Sequence, residues 1–155
     1  TLTLALASAA TLALANPQAT IADLDARLKQ IGAPKVEGTD TVAGKTVPAM
    51  FFGDRKLNNN YDVVDAIRRA HGATATIFVK DGEEFVRVST NVLTPEGKRG
   101  IGTQLARNAA YANIVKGQSY CGPIDVLGTA FDACYNPIKN AKGDVIGITY
   151  VGHKK

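Results

Sequence analysis

KGQSYCGPIDVLGTAFDACYNPIKNAKGDVIGITYVG, Lys116 to Gly152, is the stretch whose reading decides the fold. It reads as two or three short strands folded back on one another. Gly122-Pro123 and Gly128 interrupt it, and Asn140-Ala141-Lys142-Gly143-Asp144 has the polar, glycine-containing composition of a hairpin turn. From Val145 to Val151, one face carries Val145, Gly147, Thr149 and Val151, and the other Ile146, Ile148 and Tyr150. Both faces are largely apolar, which predicts a central strand covered on both sides. Both cysteines, Cys121 and Cys134, and the tyrosines Tyr120, Tyr135 and Tyr150 fall inside this segment.

Upstream, Ala73 to Lys80 reads as a strand and Asp81-Gly82 as a hairpin turn. Glu84 to Val92 reads as the returning strand, with Phe85, Arg87 and Ser89 on one face and Val86, Val88 and Thr90 on the other. Ala106 to Val115 and Tyr61 to Ala70 read as short helices. Lys35 to Met50 reads as a connection. Residues 16–34 form an N-terminal helix, with Ile21, Leu24, Leu28 and Ile31 at helical spacing and Gly32-Ala33-Pro34 as its stop. The order of elements predicts an α+β fold with an antiparallel sheet and helices on one side.

At 155 residues the chain has the length of one domain. Its net charge is +4, spread along the chain. A nucleic-acid binder gathers its positive charge on one face, so nucleic acid is excluded as a partner. No G-x-S-x-G, P-loop or G-x-G-x-x-G is present, and Ser8, Ser89 and Ser119 are the only serines. The two histidines, His71 and His153, are far apart and read as surface residues, and no metal or cofactor is expected. Asp23/Asp25 and Glu83/Glu84 read as solvated charges. The reading is non-enzymatic.

What remains is a binding constellation. Arg87 in mid-strand must sit at an edge, snorkel to water or meet an anion, and its guanidinium fits a carboxylate bidentately. Ser89 adds a hydroxyl, Tyr120 and Tyr135 flank the cysteines, and Lys139 follows Pro137-Ile138. Two bland readings stand beside this one: Arg87 paired with a structural acid, and tyrosines that cap the core. The cysteines are either a disulfide or two buried thiols.

Thr1 to Ala15, TLTLALASAATLALA, is apolar and uncharged and ends in an A-x-A-like site. It is a signal remnant, a membrane anchor or an assembly element, and in each case the chain is expected to be exported, periplasmic or extracellular.

Taken in order, several segments resemble the single Cache sensor domain, the extracytoplasmic PAS-like module of bacterial chemoreceptors and sensor kinases. These are Val64-Asp65, His71 to Phe78, Phe85 to Val92, Gly102-Thr103, Lys116 to Gly122, Leu127-Gly128, Tyr135 to Ile138, and Gly143 to Gly152. The resemblance covers about residues 35–152, and implies a single Cache domain over residues 35–155. It implies a PAS-like antiparallel sheet beside a long N-terminal helix, and a pocket for a small organic acid, amine or amino acid. Carried over residue by residue, it places Arg87, Ser89, Tyr120 and Tyr135 near that pocket and Lys139 more loosely. The cysteine pair is outside the family pattern, and receptors continue into a second membrane helix where this sequence ends, which favours a stand-alone exported Cache protein. The competing reading is an assembly protein of the same fold, a homo-oligomer through residues 1–34.

Overall fold

The computed structural model describes residues 15–155. The roles considered for Thr1 to Ala15 therefore fall, but for Ala15, outside the described residues. Helix α1 (Pro17–Ile31) starts as its sequence dictates: Asn16 Oδ1 accepts a hydrogen bond from the Ala19 amide, and Pro17 occupies the first turn. Strands β1 (Pro34–Val42), β2 (Lys45–Phe52) and β3 (Arg55–Lys56) follow. Then come α2 (Asp62–His71), β4 (Thr74–Asp81), β5 (Glu84–Thr90) and α3 (Ala109–Ile114). The chain closes with β6 (Tyr120–Val126), β7 (Thr129–Lys139) and β8 (Val145–Lys154).

The last five strands form one antiparallel sheet in the order β5-β4-β8-β7-β6. The expected central strand is β8, in the middle of the sheet. On one face, α1, α2 and the β1–β2 hairpin bury Leu24, Leu28, Met50, Val64, Ile67, Ile77 and Val151. On the other, α3 and the segment after β5 bury Phe78, Phe85, Ile114, Phe131, Tyr135, Ile148 and Tyr150. The fold is α+β, with the N-terminal helix packed on one side.

Three readings are corrected. Lys35 to Met50 is no connection but most of a second, three-stranded sheet, ordered β1-β2-β3. Its turn puts Ala43 (φ 48°) and Gly44 (φ 80°) in the left-handed region, and an alanine there does not advertise a turn. Second, Gly122-Pro123 does not break the chain. It lies within β6, an edge strand, where a proline without an amide hydrogen loses no ladder bond on the open side. Third, Asp23, Asp25 and His153 are not free surface groups but the latches of α1. The Asp25 carboxylate accepts from Asn136 Nδ2 (2.8 Å) and Thr149 Oγ1 (2.7 Å). Asp23 meets His71 (2.7 Å) and Arg27 (3.0 Å), and Thr20 meets the buried His153 ring (2.9 Å).

Candidate functional site

One row of directly opposed residues crosses all five strands: Tyr120, Tyr135, Tyr150, Thr76 and Thr90. Side chains opposite one another on a sheet share a face, so this row is a stripe of hydroxyls across the face covered by α3. The three tyrosines are evenly spaced in sequence, and the two hairpin turns fold them into register. The rings of Tyr135 and Tyr150 lie 4.9 Å apart, and those of Tyr120 and Tyr135 6.3 Å apart. Room for them comes from small neighbours. A Cβ on Gly152 would lie 2.2 Å from the Tyr150 hydroxyl, a contact that only glycine avoids.

Arg87 stands in the neighbouring row, opposite Phe78, which in turn opposes Ile148. Its Cζ lies 4.9 Å from the Phe78 ring centre, a cation–π geometry. The residue is only 3% exposed. Segment 102–105 runs along the free edge of β5, with Gly102, Thr103 and Leu105 bonded to its backbone. That segment supplies both hydrogen bonds of the guanidinium: Nη1 donates to Thr103 Oγ1 (3.0 Å) and to the Gln104 carbonyl (3.1 Å). Nε is buried without a partner. No carboxylate pairs with Arg87 among the described residues. The structural-acid reading of Arg87 thus fails. Its Nε–Nη2 edge, the fork that accepts a carboxylate in two parallel bonds, is unspent.

Burial lowers the Arg87 pKa below its ordinary value, and the nearby Tyr135 and Tyr150 oppose that shift. Burial likewise raises Tyr135 and Tyr150 far above the ordinary phenol value. Both phenols are therefore neutral in the physiological range. Tyr150 Oη pairs with Thr74 Oγ1 at 3.0 Å, and Tyr120 Oη donates to the Pro123 carbonyl at 3.0 Å. A guanidinium beside neutral phenols can hold a compact anion.

The other expected residues divide. Ser89 is not on the Arg87 face. The β4–β5 ladder pairs Phe78 with Arg87 and Ile77 with Ser89, leaving Val88 as the extra residue of a bulge. Ser89 therefore points to the α2 side, where its Oγ donates to the Asn60 carbonyl. Lys139 is at the far end of β7; the residue lines a cavity of about 530 Å³ on the α1 face, while its Nζ lies beside Gly117, just past α3. Cys121 and Cys134 form a disulfide between directly opposed positions of β6 and β7. It shares a row with Val151 and Ala75 in the core under α1, so it ties the two strands together behind Tyr120 and Tyr135. Thr103, Gln104 and Tyr150 were not among the site residues expected from the sequence. Only the even spacing of the tyrosines signals the last of them.

Among the described residues, no group of His, Cys, Asp and Glu is placed to hold a metal, and no helix is long and apolar enough to cross a membrane. No match was found among curated proteins. A family model described as the Cache 3/Cache 2 fusion domain matches residues 12–155, nearly the whole chain. Domains of this kind bind and sense small molecules outside the cytoplasm and are not catalysts. The antiparallel sheet, the helix along one face and the hydroxyl-lined opposite face agree with that match, and the chain belongs to the Cache 3/Cache 2 fusion domain family.

Proposed function

We propose that this sensor domain binds a small organic monocarboxylate on the α3 face of its sheet, with Arg87 as the anchor and Tyr135, Tyr150 and Tyr120 around it. One observation carries the reading: Arg87 is buried, has no acidic partner among the described residues, and keeps Nε unpaired. A buried charge without a partner is costly, and a native chain retains one where a ligand completes it. A single cation favours a single negative charge. A phosphate dianion calls for a second cation or a helix N-terminus, and neither stands beside Arg87 in its contacts. The Cys121–Cys134 disulfide supports an oxidising, extracytoplasmic setting.

A thermal-shift screen of the purified protein against small carboxylates, amino acids and amines tests this. A ligand at a hundred times its dissociation constant adds about 2.7 kcal/mol of stability. A carboxylate that raises the melting temperature of the wild type but not of Arg87→Met supports the reading. Stabilisation by amines alone, or equal stabilisation of both proteins, contradicts it.

A further inference from the structure

We propose that the Cys121–Cys134 disulfide is a thiol-exchange site that sets the affinity of the carboxylate site on the opposite face, an inference that rests on the carboxylate reading above. The reagent class is a dithiol. The two sulfurs belong to residues of unequal access. Cys134 on β7 is fully buried in the core under α1, whereas Cys121 on β6 is exposed. Cys121 also lines a cavity of about 230 Å³, beside Pro17 and Gln18 in the first turn of α1. β6 is an edge strand, held in the sheet by β7 alone. Exposed disulfides are the labile, regulatory ones, because exchange needs access to a sulfur.

One thiolate of the dithiol attacks Cys121 Sγ. A new S–S bond forms there, and the Cys121–Cys134 bond breaks with its electron pair on Cys134, which takes up a proton. Cys134 stays one strand away, so a monothiol adduct closes back. The second thiol of a dithiol gives up its proton and attacks the reagent sulfur. Cys121 leaves and is protonated, and the dithiol, oxidised by two electrons, departs as a cyclic disulfide. The effect reaches the site through one step of the ladder, because Tyr120 and Tyr135 are the opposed pair next to the cysteines. Tyr120 Oη is bonded within its own strand, to the Pro123 carbonyl, so Tyr120 moves with β6. Its ring is the outer neighbour of Tyr135, as Tyr150 is the inner one. With β6 untethered, Tyr135 loses one wall of its packing and its fixed place near Arg87.

The test uses the 155-residue protein without denaturant, dithiothreitol as the dithiol and glutathione as the monothiol. Dithiothreitol opens the bond while the protein stays folded, and glutathione leaves it closed. Brief treatment with iodoacetamide then labels Cys121 ahead of Cys134. The tightest-binding of acetate, propionate and lactate binds the reduced protein about fivefold more weakly, the worth of one hydrogen bond. By linkage, the same carboxylate at saturation lowers the reduction potential by that factor, about 20 mV for two electrons. Cys121→Ser binds at the weaker affinity with or without dithiothreitol. Opening of the bond only on unfolding, labelling of Cys134 first, or equal affinity of the oxidised and reduced forms overturns the proposal and leaves Arg87 as the anchor. If no carboxylate of the screen stabilises the oxidised protein, the carboxylate reading fails, and this one with it.

Discussion

Arg87 and Ser89 lie two residues apart on β5 yet face opposite sides of the sheet, because the ladder to β4 passes over Val88. A strand's period of two puts such a pair on one face, and a single bulge reverses that. The two side chains accordingly have unrelated roles. Arg87 faces the tyrosines, and Ser89 bonds the Asn60 carbonyl ahead of α2.

The first prediction follows from that separation. Ser89→Ala removes a buried hydrogen bond and costs about 1 kcal/mol of stability, with no effect on carboxylate affinity. Arg87→Met removes a desolvated charge that no acid balances. The unliganded protein then keeps its stability to within about 1 kcal/mol, or gains, while carboxylate binding is lost. Chemical denaturation of both variants, with and without ligand, separates the two outcomes.

The tyrosine hydroxyls differ in the same manner. Tyr150 Oη is committed to Thr74 Oγ1, so Tyr150→Phe costs about 1 kcal/mol in the free protein. The Tyr135 ring is packed between the other two, and its hydroxyl has no such bond among the described residues, so Tyr135→Phe leaves free-protein stability nearly unchanged. In the liganded protein Tyr135→Phe weakens carboxylate binding by roughly five- to tenfold, the loss of one hydrogen bond. Melting curves and titration calorimetry on the two variants check both statements.

Reduction of Cys121–Cys134 releases a loop closed over a separation of 13 residues. The chain-entropy model assigns such a loop about 3 kcal/mol. Because β6 is an edge strand, the loss is local as well as global. Amide exchange in β6 accelerates more than in β4 or β8, and Tyr120 loses its fixed place beside Tyr135. Exchange measured with and without reductant reads this directly.

Acid weakens the hold of α1 in two steps. His153 is buried against Thr20, and burial, with His71 nearby, lowers its pKa below the ordinary 6.5, while Asp132 opposes. The unfolded chain therefore takes up this proton at a higher pH than the folded one. The contribution of His153 is complete above the unfolded value, about 6.5, and is lost as the pH falls through the lower folded value. Hydrogen bonds from His71 and Arg27 hold the Asp23 carboxyl below its ordinary 3.8. Its contribution is complete above 3.8 and lost as the pH falls through the folded value. The melting temperature thus begins to fall as the pH drops below about 6.5, before ordinary carboxylates titrate, and His153→Gln flattens that first step. A wild-type curve level from pH 7 to 5 contradicts the assignment.

Much of this architecture was legible in the sequence because its signals are local. Asp81-Gly82 and Asn140 to Asp144 are turn-formers in place, and the two apolar faces of Val145 to Val151 mark β8 as central. The β1–β2 hairpin was hidden because its left-handed turn begins on Ala43, a residue that rarely adopts that conformation. The latches of α1 are long-range, joining Asp25 to Asn136 and Thr149, and no local pattern announces them. In the site, Arg87 was visible as a charge in an apolar strand. The bulge that parts it from Ser89 was not, since a bulge belongs to the pairing of two strands and not to either one. Thr103 and Gln104 reach Arg87 through an irregular edge segment, which carries no periodic signature at all.

The role of the Arg87 guanidinium is decided by calorimetric titration of the best carboxylate from the screen into wild type, Arg87→Lys and Arg87→Met. Lysine keeps the charge but lacks the planar fork. Wild type is expected to bind tightly, Arg87→Lys at least tenfold more weakly, and Arg87→Met not at all, with all three proteins folded. Equal affinity across the three proteins contradicts this, and would mean that the buried guanidinium serves the fold and not the ligand.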